Sequence, residues 1–237
     1  VYAYILMDYF RNLFFITMTE YEKGLPCEAV AFPPQQVALP LGRVLADNGL
    51  RQLHVSETEK ERFVTYYFNG FREQPFSGED WLIIPSAKVV TYDLLPQMSA
   101  KQIIQTVLGK IKEGTYQFIL INFANPDMVG HTGKLEASIK AVETIDECLG
   151  QLIPSVSSHQ GVTIITADHG NIEEIINQNT GEVDTEHSDN PVPFILISES
   201  VPFPTQLPRG ILADVAPTIL KLFQIPKPSS MTGKSLV

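Results

Sequence analysis

Three segments, 122–131 (NFANPDMVGH), 166–171 (TADHGN) and 186–188 (EHS), place Asp127, His131, Asp168, His169 and His187 within about sixty residues of one another. The chain has five His in all, so three of them stand in contexts suited to holding a metal. Imidazole and carboxylate together form a borderline-to-hard donor set, which fits Mn or Zn better than a thiolate-loving ion. The combination predicts a binuclear metal centre. Asp127 and His131 are four apart, which on a helix puts both side chains on one face; Pro126 and Gly130 argue for a loop or a helix entry there. Asp168 and His169 are adjacent, and neighbouring side chains on a strand point oppositely. They can converge only by leaving the strand in a tight turn, and Gly170-Asn171 supplies one. His187 follows Asp184 and Glu186 in a polar loop and is free to reach back. His54, in a strand, and His159, in a Ser-rich loop, receive no function. No nucleophile with a matching context precedes these segments.

The elements that must position these residues follow from periodicity. Apolar runs at 118–121 and 162–165 read as buried strands, and each empties directly into a ligand-bearing segment. In open α/β sheets that carboxyl edge is where ligands bind. Upstream, strands are expected at 14–18, 53–56 and 81–85, with a short helix at 41–48 and helical character over 58–68. Ser99 is expected to cap a helix running to about Gly114, with Ile103, Ile104, Val107, Leu108 and Ile111 inward. A helix over 134–153 is expected to bury Leu135, Ile139, Val142, Ile145, Leu149 and Leu152 and to end at Pro154. The strand–helix–strand rhythm of 14–18, 41–48 and 53–56 predicts a parallel sheet, and a further strand at 193–197 and a final helix from Asp214 to Phe223, capped by Asp214, are expected. The string Gly233-Lys234-Ser235 looks like the end of a phosphate-binding loop. Pro228 stands where that pattern needs its first Gly, and no strand precedes it.

The bulk composition narrows the function. With 44% hydrophobic and 19% charged residues, the 237-residue chain is typical of a soluble globular protein. A net charge of −10 argues against a nucleic-acid partner. It leaves an anionic substrate open, because bound cations reverse the sign locally. Cys27 and Cys148 make no disulfide framework, Cys148 reads as a small core residue, and a cytoplasmic setting fits. The apolar start, 1–18, is broken by Asp8, Arg11 and Asn12 and falls short of a membrane span of about twenty apolar residues. It also lacks the marks of a signal peptide. The chain begins at Val1, and the expectation is that it starts partway through a longer protein.

The strings 122–133 and 166–171 resemble those of the cofactor-independent (2,3-bisphosphoglycerate-independent) phosphoglycerate mutases, in the alkaline phosphatase superfamily. So do 15–21 (FITMTEY), 31–34 (AFPP), 57–60 (ETEK) and 186–194 (EHSDNPVPF), and the late 214–218 (DVAPT) resembles the superfamily's. The likeness runs from about Phe15 to the C-terminus. It implies two Mn ions at the strand ends, with Zn or Co as possible substitutes. It also implies a Ser nucleophile that takes the phosphoryl group from 3-phosphoglycerate and returns it to the other hydroxyl, giving 2-phosphoglycerate in glycolysis. By this resemblance Asp127, His131 and His187 correspond to the ligands of one Mn, Asp168 and His169 to two ligands of the other, and Lys60 to a phosphate-contacting Lys. Family members are often monomeric.

The family's nucleophilic Ser, a further Asp ligand and the inserted transferase domain come from regions that precede the segment seen here. Paired Arg before the FITMT-like strand are also expected; 2–13 holds only Arg11, which is not equated with them. The expected architecture is therefore α/β, a mostly parallel sheet with helices on both faces, alkaline-phosphatase-like and incomplete. Residues 1–14 are an unassigned remnant and 15–237 the C-terminal portion of the metal-binding phosphatase domain. The isolated chain is expected to be inactive. The alternatives are a metal-dependent phosphatase or phosphodiesterase of the same superfamily, or a non-catalytic metal-binding remnant.

Overall fold

The computed structural model describes residues 13–21, 24–177 and 180–237. Most of the unassigned stretch 1–14, including Arg11, therefore lies outside the described residues. The chain divides into two compact units, one ending at Ala38 and the other running from Leu39 to Val237. In the first, β1 (Ile16–Thr17) and β2 (Ala29–Val30) pair in parallel. The expected strand at 14–18 is thus shorter than its apolar pattern; Phe14, Ile16 and Met18 are exposed.

The second unit is built on β3 (Gln52–Glu57), β4 (Glu79–Ile84) and β5 (Phe118–Ile121), all parallel, in the order β4-β3-β5. The central strand is buried at every position, as expected for a parallel strand covered on both faces. On one face Leu53 and Val55 meet Ile103, Ile104 and Val107 of α2 (Ala100–Glu113) and Cys148 and Leu152 of α4 (Leu135–Ser158). The opposite side packs Phe118 with Leu45 of α1 (Leu41–Asp47) and Leu220 of α5 (Val215–Leu222). Helices on both faces of a mostly parallel sheet are what the sequence predicted. β5 is an edge in this sheet, and its residues are half-buried rather than buried. Two further strands, β6 (Thr163–Thr166) and β7 (Phe194–Ile197), pair antiparallel.

Several local expectations change. Pro154 lies inside α4, which continues to Ser158. Proline removes one helical hydrogen bond, but Val156 beyond it packs against the core of Cys148 and Leu152. The buried face of α4 is made by Ser138, Ala141, Thr144, Cys148 and Leu152, while Leu135, Ile139 and Val142 are about half exposed. Small residues let α4 approach its neighbours closely, so the larger apolar stripe faces out. Residues 58–68 form a 3-10 turn, Thr58–Lys60, and a π-helical turn, Phe63–Tyr67, instead of one helix.

Two expected caps are also redirected. Ser99 sits at the N-cap of α2, but its hydroxyl donates to the Pro85 carbonyl at 2.9 Å. Asp214 lies at the start of α5, yet its carboxylate accepts the backbone N–H of Ile211 at 2.9 Å and of Lys234 at 2.8 Å. The Gly-Lys-Ser string is therefore a tether for the C-terminal segment.

Glu57 closes β3 with its carboxyl fully buried. The Ser99 N–H donates to Oε2 at 2.8 Å, and Oε1 has no partner among the described residues. Burial pushes this carboxyl up, with hydrogen bonds from Ser99 and Ser86 pulling against it. A raised folded-state pKa means the native state binds the proton more tightly, so stability falls as pH rises from the unfolded value through the folded one. Glu57→Gln is accordingly expected to raise the melting temperature at pH 8 and to leave it unchanged at pH 4. An equal change at both pH values, by calorimetry, would contradict this.

Candidate metal centre

The centre lies where the chain leaves β5 and β6. After β5 comes a short helix, α3 (Asn125–Gly130), with Pro126 in its first turn and His131 at its C-cap. The spacing of four thus acts on one helix face, and His131 Nε2 lies 3.2 Å from Asp127 Oδ1. His187 arrives from a loop sixty residues later, and its Nε2 is 3.0 Å from the same oxygen. Donor atoms of Asp127, His131 and His187 all lie within 4.8 Å of one another, the only such group of three found among the described residues. Ligands at about 2.0–2.1 Å from a tetrahedral ion stand about 3.3 Å apart. The two measured separations are close to that value.

The tautomer of His131 suits the role. Its Nδ1 lies 2.6 Å from the Thr185 carbonyl and donates to it, which leaves the Nε2 lone pair facing Asp127 and His187. Asp127 is largely buried, with 15% of its side chain exposed, while His131 and His187 are open at 40% and 50%. The Asp127 Oδ2 atom receives the ammonium of Lys60, whose side chain is only 10% exposed. Burial by itself would raise the Asp127 carboxyl; the hydrogen bond and charge of Lys60, with His131 and His169, outweigh it and hold the carboxyl below its ordinary range.

Beyond β6, Asp168 and His169 do leave the strand before Gly170, with Asp168 Oδ2 3.5 Å from His169 Nε2. The His169 ring stacks on His187, centroids 3.8 Å apart. Asp168 is exposed, at 61% of its side chain. The five residues singled out by type and spacing therefore come to one place, as a compact trio with an adjacent pair. Lys60 joins them through Asp127.

Sequence reasoning missed three contributors. Asn171 donates its amide to Asp127 Oδ1 at 3.4 Å and lies against Gly130, where a Cβ would come within 1.9 Å of its Oδ1. Thr185 orients His131 through a carbonyl, which no side-chain pattern reveals. Glu173 bonds to residues of both ligand-bearing loops. Asn171 sits inside the recognised motif and could have been found there; the other two carried no signal.

A family profile described as the metalloenzyme superfamily matches residues 17–227. The chain is similar to the 2,3-bisphosphoglycerate-independent phosphoglycerate mutase of Thermomicrobium roseum, at 52% identity over 230 residues, covering 96% of this chain and 44% of that protein. With the enzyme of the same name from Clostridium botulinum it shares 48% identity over 226 residues, 95% of this chain and 44% of the relative. Among solved structures, Leishmania mexicana phosphoglycerate mutase at low cobalt concentration superposes with a TM-score of 0.82 at 32% identity, covering 93% of this chain and 43% of that one. The chain thus spans less than half the length of the relatives it matches. Their shared name does not favour the phosphatase or phosphodiesterase alternative. Among the described residues no helix is long and apolar enough to cross a membrane.

Proposed function

Because the chain belongs to the metalloenzyme superfamily, whose profile matches residues 17–227, we propose that it is the metal-binding portion of a cofactor-independent phosphoglycerate mutase. The observation that carries this reading is the convergence of Asp127, His131 and His187 on one point, together with the likeness to mutases over nearly the whole chain. Asp127, His131 and His187 hold one Mn ion, and Asp168 and His169 contribute to a second. Zn or Co can replace Mn, since this donor set accepts all three. When bound, such ions neutralise phosphoryl oxygens and lower the pKa of an attacking hydroxyl.

The residues of this chain have the remaining tasks of binding and orientation. Asp127 Oδ1 and the two imidazoles present their lone pairs together. Lys60 keeps one of its three N–H donors on Asp127 and offers the others to a phosphoryl oxygen, a role suited to a compact point charge. The substrate is phosphoglycerate, a small anion, and the whole protein works in the cytoplasm as a monomer, interconverting 3- and 2-phosphoglycerate through a phosphoserine. The 237 residues alone bind metal but do not turn substrate over, because covalent phosphoryl transfer needs the nucleophile supplied elsewhere in the family. Calorimetric titration of the chain with Mn tests the proposal. One tight site is expected, and the absence of any binding would overturn it.

A further inference from the structure

The two ligand-bearing loops, 167–171 and 184–190, meet at one carboxylate that belongs to neither ligand set. Glu173 Oε1 accepts the hydroxyl of Ser188, next to His187, and the side-chain amide of Asn190 at 3.1 Å. Its Oε2 accepts the backbone N–H of Asn171 at 2.8 Å, two residues after His169. The backbones join at the same point: Ser188 N–H donates to the Gly170 carbonyl at 2.9 Å in an isolated antiparallel bridge. Gly170 is what permits this closeness. A Cβ there would lie 2.1 Å from Ser188 Oγ and 2.3 Å from Glu173 Oε1, so any other residue would displace the contact. Burial alone would raise the Glu173 carboxyl, but the hydrogen bonds from Ser188, the backbone and Asn190 hold it at about 2. It is therefore an ionised acceptor throughout the neutral range.

We infer that Glu173 is a positioning residue that clips the His187 loop to the Asp168–His169 loop, so that the two sets of ligands are held as one unit. The stacking of the His169 and His187 rings is the outcome of this clip. The clip itself stands on the hydrogen bonds above; its consequence for metal affinity rests on the function proposed in the preceding subsection.

Hydrogen exchange of the metal-free chain tests the clip directly. In Glu173→Ala the amide of Asn171 is expected to exchange about tenfold faster or more, as for loss of a hydrogen bond to a charged acceptor, and the amide of Ser188, bonded to the Gly170 carbonyl, to exchange faster as the bridge between the loops opens. The amide of Val55 in the central strand should not change. Glu173→Gln keeps a carbonyl for Ser188 but cannot accept the Asn171 N–H with its amide nitrogen. It should speed exchange at Asn171 while sparing Ser188. Unchanged exchange at both amides in Glu173→Ala overturns the inference, and so does a uniform rise that includes Val55, which would make Glu173 a general stability residue. A Mn titration then reads the consequence: Glu173→Ala should weaken binding about 10–100-fold, the usual cost of losing an outer-shell partner, with Glu173→Gln between it and the parent. If exchange behaves as expected but the parent chain takes up no Mn, the clip stands and the proposed function fails.

Discussion

Asp127→Asn is expected to lower Mn affinity by more than about a hundredfold, exceeding the loss typical of an outer-shell substitution. Asparagine keeps the shape of the side chain and can still accept a hydrogen bond from Lys60. It removes the negative charge that both imidazoles and the ammonium face. The same change should also cost stability, about 1–3 kcal/mol, because a buried Lys60 is left without its counter-charge. The pH dependence has a definite sign. The Asp127 carboxyl is held below its ordinary range, so its contribution is fully present above the unfolded value near 4 and is lost as pH falls through the lower folded value. A double substitution, Lys60→Met with Asp127→Asn, separates the two effects. Removing both charges should restore most of the stability and none of the metal affinity. If Asp127→Asn binds Mn as the parent does, the ion lies elsewhere.

The largest loss of stability should come from a site with no metal at all. Glu79 is buried against β3, where it accepts from Asn69 Nδ2 at 2.6 Å, from the Trp81 indole and from the Phe76 N–H at 3.0 Å. His54 Nδ1 lies 3.4 Å from the same carboxylate and 2.7 Å from the Val64 carbonyl. Burial draws the His54 pKa down, with Glu79 and that carbonyl pulling against it. Glu79→Ala would leave several buried donors unpaired at once. A loss of about 3–5 kcal/mol is expected, as when one partner of a buried charged network is removed. For a domain of this size that is roughly 10 °C in melting temperature. A loss below about 1 kcal/mol in denaturant titration would show that the network relaxes and re-pairs, contrary to the cost of unpaired buried groups.

The sequence announced some of this and concealed the rest for identifiable reasons. β3, β5 and α2 were readable because strand and helix periods dominate there, and the pair Asp127 and His131 because spacing and residue type agree; the union of that pair with His187 is implied only by the family resemblance. The buried face of α4 departs from its sequence pattern because the helix is apolar on two sides: Leu135, Ile139 and Val142 are larger than Ser138, Ala141 and Thr144, yet the small residues make the contact. Pro154 reads as a stop in the sequence, and packing of Val156 overrides it. The partnership of Lys60 with Asp127 joins positions 67 apart in the chain. Nothing local to either residue reveals it, and Lys60 by itself looks like a solvated side chain. The Glu79 network was equally silent, since its members come from β3, β4 and several points of the segment 64–76 between them.

Trp81 is the chain's one tryptophan. It stands in β4 beside His54, in register with Leu120 of β5 across the central strand. Its indole N–H is bonded to Glu79 rather than to anything in the metal centre. The protein therefore carries an intrinsic fluorophore tied to its sheet through a partner outside the candidate metal centre. Melting of the sheet can be followed by emission while ion uptake is followed by heat, and the two processes can be timed against each other in a single unlabelled sample.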